Sequence, residues 1–532
     1  DGDRDRDRDR DRGGYYSRRS RSPPPRSDRR RRYDDRGDRH RSDSPPHQRR
    51  RFAGPGSDPL SDLRRNGYRI PRGLPPPRDP NDTRVTKHIA LLALTIDDLP
   101  YEEVWKEWCS GAPPGTYISL VAHAKNPEDV KSEWLKKRLL VKPPKYGRGN
   151  SFLDPEYLTR RPEWGSVEIT QAMVDLLKNG IRIGHCKAED PRFSADRYII
   201  QRPSEEEEQA LTKAREEGRS NRDNSDSDDD GESNKAGNKF RVPHVDQFVY
   251  ISESCLPVVT AAEMFAKIKD PLVSWVDARN RREEGTPKNK YEEEQFAHIN
   301  RRIPGQYRWK SDQWVLLCRK HASQILEIDR NADRGRQLFR SFNDIKASDE
   351  MYFATCLGML SWLRCPDPKR PDPEADRNLE EFVKRRPVTY TDWSQGMKNP
   401  ASFTKGAADL RKVAKLARAK GCLLARKFAP FVKIPGVKVE EHAVTGKIAK
   451  EEWNVVIGLL AEKELAEAVV VKTESAEGDK KVSAEGGGTD DAGAGAAEGE
   501  VKGGDPNDDG NEEGEDTNDR EGDDDGETEL DT

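Results

Sequence analysis

An α/β fold with charged, disordered flanks is what this chain predicts, on three observations. Short apolar runs of strand length alternate with longer segments whose apolar residues recur every three or four positions. Only 33% of the 532 residues are hydrophobic and 36% are charged, too polar a balance for one packed body. The charge is also segregated. Residues 1–52 hold 19 Arg and 11 Asp, a net of +8, whereas residues 472–532 hold 23 acidic and 5 basic side chains, a net of −18. With −4 for the whole chain, the middle carries +6. Blocks of like charge repel themselves and stay solvated. The expected organisation is a disordered Arg/Asp/Ser/Pro-rich segment over 1–84 and a folded domain over 85–430. An acidic disordered insertion interrupts that domain at 204–239, an extension of unassigned structure covers 431–471, and a disordered acidic tail covers 472–532.

The elements follow in order. Residues 88–95 (His-Ile-Ala-Leu-Leu-Ala-Leu-Thr) form a continuous apolar run ended by Asp97, Asp98 and Pro100, which predicts a buried first strand. Val104, Trp105 and Trp108 share one face of a helix over 101–109. Residues 117–122 give a second strand, and strand–helix–strand implies a parallel pair with a crossover helix. Glu163-Trp-Gly-Ser-Val167 leads into a helix over 169–177. After the acidic insertion, 247–251 predict a strand, 261–269 a helix, 314–318 a strand and 321–328 a helix. A Pro/Asp-rich loop occupies 366–376, and the last ordered helix covers 408–419. Helical periodicity returns over 451–471 without showing whether that segment packs.

Seven cysteines (109, 186, 255, 318, 356, 365, 422) are scattered with no Cys-x-x-Cys pair, which argues against a zinc site. Cys255, Cys318, Cys356 and Cys422 stand among apolar residues, as small buried hydrophobes do. No run approaches the roughly 18–20 apolar residues that span a bilayer. The N-terminal Arg/Ser block is similar to the tails of splicing-type nuclear proteins, but Arg alternating with Asp is self-neutralising and no RNA-recognition strand motif follows. No specific nucleic-acid partner is expected.

Five short segments carry the chemistry: Tyr250-Ile-Ser-Glu-Ser-Cys-Leu-Pro257, Trp309-Lys-Ser-Asp-Gln-Trp314, Ser348-Asp-Glu-Met-Tyr-Phe-Ala-Thr355, Thr391-Asp-Trp-Ser-Gln-Gly396 and Leu424-Ala-Arg-Lys-Phe428. Ser348 stands where an N-cap would, which places Glu350 in a first helical turn, where the helix dipole favours a carboxylate. Such a group either caps the helix or accepts a proton from a bound hydroxyl. Ser252 and Glu253 follow a strand, at the edge where open α/β sheets bind ligands. Trp309, Trp314 and Trp393 are either core or sugar-stacking rings, with Asp392 and Ser394 beside the last. The basic run 279–282 either faces an acceptor or is a solvated loop.

Together and in this order, the five segments resemble the core 2 / I-branching β-1,6-N-acetylglucosaminyltransferases (glycosyltransferase family 14), most closely their plant and algal relatives, over roughly residues 87–430. The resemblance implies a GT-A-like, Rossmann-like domain. It also implies inverting, metal-independent transfer of a sugar from a UDP donor, N-acetylglucosamine first among the candidates, to a hydroxyl of a glycan or glycoprotein. No cofactor beyond the UDP-sugar substrate is implied. Glu350 matches the family's catalytic base and Lys427 its late phosphate-contacting lysine, with Arg426 beside it. Ser252, Glu253, Trp314, Asp392, Trp393 and Ser394 match segments that line the acceptor cleft. The family's companion arginine has no clean counterpart, and Lys405, Lys398 and Arg411 are the candidates for its place. Of the Asp-x-Asp patterns that hold metals in other glycosyltransferases, the chain has Asp226-Ser-Asp228, inside the acidic insertion; Asp97-Asp98 and Asp34-Asp35 lack the spacing. Relatives work in the Golgi behind an N-terminal anchor, which is expected upstream of Asp1. The other readings of the chain are a catalytically silent glycan-binding relative and a nuclear Arg/Ser-rich adaptor.

Overall fold

The structure is a computed structural model that describes residues 58–79, 81–142, 157–184, 194–210, 213, 242–283, 285–299, 303–330, 337–365, 379–394, 400–429 and 447–464. Residues 1–57 of the tail expected over 1–84, the whole tail expected over 472–532, most of the acidic insertion with Asp226 and Asp228, the Pro/Asp loop at 366–376, Lys398 and Cys186 lie outside the described residues.

Twelve strands are described: β1 (His88–Thr95), β2 (Tyr117–Ala124), β3 (Ile199–Gln201), β4 (Gln247–Ser252), β5 (Leu256–Pro257), β6 (Ser274–Trp275), β7 (Arg279–Asn280), β8 (Trp309–Lys310), β9 (Leu316–Cys318), β10 (Val383–Lys384), β11 (Thr389–Thr391) and β12 (Leu424–Arg426). The longer helices are α1 (Glu102–Ser110), α2 (Val167–Arg182), α3 (Ala261–Lys267), α4 (Lys290–His298), α5 (Arg319–Glu327), α6 (Asp349–Met359) and α7 (Ala407–Ala419). A seven-stranded mixed sheet runs β10-β6-β9-β4-β1-β2-β3. β4, β1 and β2 are parallel, as the crossover helix predicts, and β10 is parallel to β6. β9 and β3 run against their neighbours. The C-terminal ends of β1, β2, β4, β6 and β10 therefore share one edge, called here the upper edge.

The sheet is a middle layer because its central strand is apolar on both sides. Along β1, Ile89, Leu91 and Ala93 pack into one core, with α1, α3, α7 and the C-terminal helical segment. Ala90 and Leu92 pack into the other, with α2, α5 and α6. That is the period of two expected of a strand buried on both faces. A mixed α/β architecture with a central sheet between helices results.

Three sequence expectations need correction. Order begins before residue 84: Leu60, Leu63, Tyr68 and Ile70 are buried in the second core, because four apolar side chains within eleven residues suffice to tie down an otherwise polar segment. The strand expected over 314–318 is confined to Leu316–Cys318. Ser348 occupies the N-cap position of α6 but makes no capping bond; its hydroxyl bonds that of Thr170 on α2 at 2.6 Å, fixing α6 against α2 instead. The question left open over 451–471 also has an answer. Residues 450–464 are helical, and Trp453, Val456 and Ile457 are buried in the first core. Trp453 Nε1 donates to the Pro257 carbonyl at 2.8 Å, and the buried Arg418 guanidinium of α7 pairs with both Glu263 and Glu464.

Candidate active site

The upper edge collects the groups that carry chemistry. β8 precedes β9 and lies against the start of α6, where the Ser311 N–H donates to the Glu350 carbonyl at 2.7 Å. This register brings Lys310 onto Glu350. The lysine ammonium is ion-paired with Glu350 Oε2 and also donates to Gln295 Oε1 at 2.7 Å. The amide of Gln295, on α4, donates in turn to Glu350 Oε2 at 3.4 Å. Both contacts fall on Oε2, and Oε1 has no partner among the described residues. With 7% of the Lys310 side chain and 27% of the Glu350 side chain exposed, the cation is enclosed and the carboxylate reaches solvent.

More acid surrounds the pair than a solvated surface would carry. Burial, then the charge of Glu350, raises the carboxyl of Asp349, with Lys310 and Arg426 opposing. Asp349 Oδ1 is buried with no hydrogen-bond partner among the described residues. Burial and the charges of Asp277 and Glu350 push Asp312 up to about 6. An enclosed, acid-rich site of this kind suits proton transfer near neutral pH.

The cations reach the same edge from the second sheet, β11-β12-β5. β5 follows β4 after a short turn, so pairing of β12 with β5 delivers the end of β12 beside the end of β4. The Phe428 N–H donates to the Ser254 carbonyl at 3.0 Å. Glu253, raised by burial, is drawn back by the charges of Arg426 and Lys427. Arg426 lies 4.7 Å above the Trp314 ring, and its Nε is buried with no hydrogen-bond partner among the described residues. Lys427 is half-buried, and no salt bridge of its ammonium is found among the described residues. Arg426 is the link across the site: its charge acts on Glu253 at the end of β4 and on Asp349 at the start of α6.

The remaining sequence candidates divide. Ser252 is buried, its hydroxyl 3.2 Å from those of Ser254 and from Cys255 Sγ, so it shapes the turn under Glu253. Trp309 and Trp314 are buried, 0% and 4% exposed, and cannot offer a face to a sugar. Trp309 fills the space over Gly358, where a Cβ would come within 2.5 Å of the indole; Trp314 supports Arg426. Trp393 is exposed. Asp392 accepts from the Ser394 N–H at 2.9 Å, and hydrogen bonding from the Ser394 side chain, then from that N–H, holds its carboxyl below the usual range. Lys405 and Arg411 are exposed at and within the start of α7. Arg279 is tied to Glu292, and buried Asn280 donates to the Gln306 and Arg308 carbonyls at 3.0 and 3.2 Å, so half of the basic run is structural. Asp98 accepts from the Lys131 and Ser132 N–H groups at 2.9 and 3.0 Å and is a loop staple. Sequence reasoning missed Lys310 and Gln295. The first lay inside a quoted segment, hidden by the tryptophans; the second had no signal beyond its place on an amphipathic helix.

An open cleft of about 1030 Å³ lies at the opposite, lower edge, lined by Arg84, Lys87, Asp246, Arg319 and Lys320 among others. Much of its charge is already committed. Arg84 pairs with Asp82 and Arg78 with Asp270; Asp246 accepts from the Lys87 and His88 N–H groups; Arg319 donates to the Val245 and Ile181 carbonyls.

Comparison with known proteins assigns the part of the chain that carries the upper edge. Residues 240–417 match the family model described as Core-2/I-Branching enzyme. That span contains Glu253, Lys310, Trp314 and Glu350; Arg426 and Lys427 follow it. No curated protein matches the chain. Among the described residues no helix is long and apolar enough to cross a membrane.

Proposed function

We propose, from the premise that residues 240–417 form a domain of the Core-2/I-branching enzyme family, a family of glycosyltransferases, that this protein is an inverting transferase of GT-A-like fold. Its donor would be UDP-N-acetylglucosamine and its acceptor a hydroxyl of a glycan or glycoprotein. The observation that carries this reading is the Glu350 carboxylate. One oxygen is held by Lys310 and Gln295 and the other is free, at a partly open site.

Glu350 Oε1 accepts the proton of the acceptor hydroxyl as that oxygen attacks the anomeric carbon of the donor. The bond from that carbon to the diphosphate oxygen breaks, and its electron pair leaves with UDP. Lys310 keeps the carboxylate oriented through the step. Lys427 and Arg426 meet the charge that develops on the diphosphate; a buried guanidinium Nε lacking a partner is a donor already in place for it. In this reading the two cations do the work that a divalent metal does in other glycosyltransferases. Arg426 takes the role for which Lys405, Lys398 and Arg411 were the sequence candidates. The family's place in the secretory pathway makes a Golgi lumen the proposed compartment.

The test is transfer of radiolabelled N-acetylglucosamine from its UDP donor to a panel of oligosaccharides, with and without EDTA. The expected result is transfer that EDTA leaves unchanged and that Glu350→Gln abolishes. Full turnover by that variant overturns the role of Glu350. A sharp loss with EDTA overturns the role given to the cations, and acceptor binding without transfer by the wild type reduces the protein to a glycan-binding relative.

A further inference from the structure

Exposed large aromatics are informative where they cluster beside a reactive group. With Trp309 and Trp314 in the core, the rings exposed next to Glu350 are ones that motif reading did not select. Trp164, in the turn before α2, is 70% exposed, and Tyr291, in the first turn of α4, is 37% exposed. One residue joins them. Lys346 lays its ammonium over the Trp164 ring at 4.7 Å, and its carbonyl accepts from the Tyr291 hydroxyl at 3.4 Å. The same carbonyl accepts from Gln295, the residue that also donates to Glu350. Beyond Lys346, the Ala347 N–H donates to the Gly165 carbonyl at 2.8 Å, fixing the Trp164 turn to the segment that opens α6. On the other side, the Lys310 ammonium lies 5.8 Å from the Tyr291 ring centre while it pairs with Glu350. Burial, and then the charges of Glu350 and Asp349, push the Tyr291 phenol up to about 12.

We infer that Trp164 and Tyr291 form a carbohydrate-stacking platform that binds a pyranose ring of the acceptor adjoining the one whose hydroxyl Glu350 deprotonates. A pyranose presents a face of C–H groups and a rim of hydroxyls. The face suits an exposed indole or phenol ring, and the rim meets the Tyr291 hydroxyl and the Lys346 ammonium. A hydrophobic protein partner fits less well, because the two rings are separated by a lysine and bordered by acids. Trp393 is exposed too, but it follows β11, whose Thr391 pairs with Arg426 of β12, so it stands on the side of the cations.

This inference rests on the transferase reading for the acceptor's orientation, but its binding part is tested independently. Saturation-transfer NMR with N-acetyllactosamine and with its two component monosaccharides, on the whole protein without donor, should show the disaccharide binding more tightly. Trp164→Ala and Tyr291→Ala should each weaken disaccharide binding about tenfold, Trp164→Phe should retain it, and monosaccharide binding should not change. In transfer assays both alanine variants should raise the KM for disaccharide acceptors while leaving kcat and the donor KM near wild type. Unchanged disaccharide binding in both alanine variants overturns the platform, as does a wild type that binds no disaccharide. Binding that depends on Trp164 in a protein that transfers nothing supports the platform and overturns the transferase reading alone.

Discussion

The two edges of the central sheet invite comparison, since both are charged and one of them is visibly hollow. At the lower edge, Arg84, Arg78, Asp246 and Arg319 pair with one another's neighbours or with backbone groups around an open cleft. At the upper edge the space is less obvious, but the polar groups are incompletely matched. Among the described residues, the buried Asp349 Oδ1 and Arg426 Nε have no hydrogen-bond partner, and several carboxyls are crowded together. Buried polar groups are normally paired, so the two left unmatched here are groups that an arriving substrate would satisfy in the proposed reading. Volume points to the lower end of the strands; the crowded acids and the cations around Glu350 carry the proposal at the upper one.

The largest effect should come from substituting one charge at each edge. Glu350→Gln should lower kcat by about 10³-fold or more, within the range of general-base removal, whereas Lys87→Ala in the lower cleft should leave kcat/KM unchanged. Initial rates for both variants decide the matter, and the reverse pattern would move the active site to the lower edge. Next come the cations. Lys427→Ala and Arg426→Ala should each cost about 10²-fold in kcat, the scale seen when a donor to a developing anion is removed. A loss confined to acceptor KM would remove them from the leaving group.

A pH effect of intermediate size should ignore the distinction between the edges. His88, His123 and His321 are buried as neutral rings, and desolvation lowers them from the usual 6.5 to about 4, 4 and 3. Below pH 6.5 the unfolded rings take up protons that the folded rings refuse. Their contribution to stability is therefore complete above that pH and drains away as pH falls toward 4. By pH 5 each should have cost about 2 kcal/mol, readable as a falling urea midpoint. A midpoint that rises from pH 7.5 to 5 would contradict the burial of these rings.

The smallest effects sharpen the comparison best. Gly358→Ala pushes a Cβ into the Trp309 ring, and Gly184→Ala puts one 2.9 Å from the Val242 and Pro243 carbonyls at a φ of +82°. Each should cost roughly 1–2 kcal/mol in denaturant unfolding, the usual penalty of overpacking. Only Gly358→Ala should also lower kcat, because Trp309 adjoins Lys310. Equal kinetic loss in both would mean that the edges are mechanically coupled.

Much of the fold was legible in the sequence, for a physical reason. β1 reads as a strand because Ile89 to Leu94 form an unbroken apolar run, and α1 because Val104, Trp105 and Trp108 fall on one face. Glu350 was singled out through its motif and remains the proposed base. The error over Ser348 arose because a serine before a helix has two uses, and only the position of Thr170, 178 residues away, chooses between them. Lys310 and Gln295 were illegible for the same reason: their partner is set by how β8 and α4 close on α6, which no local pattern encodes. The tryptophans misled because the ring suited to stacking on a sugar is equally suited to a core, and burial alone separates Trp309 from Trp164.

The helix over 450–464 sets a rule for anyone who trims this gene. A shorter version ending near residue 430 would look complete by homology, yet it would strip the cover from Pro257 and Val258 and leave the Arg418 guanidinium facing water on one side. Such a product should come out of the cell as sticky, poorly soluble material, whereas one carried through residue 464 keeps its outer seal.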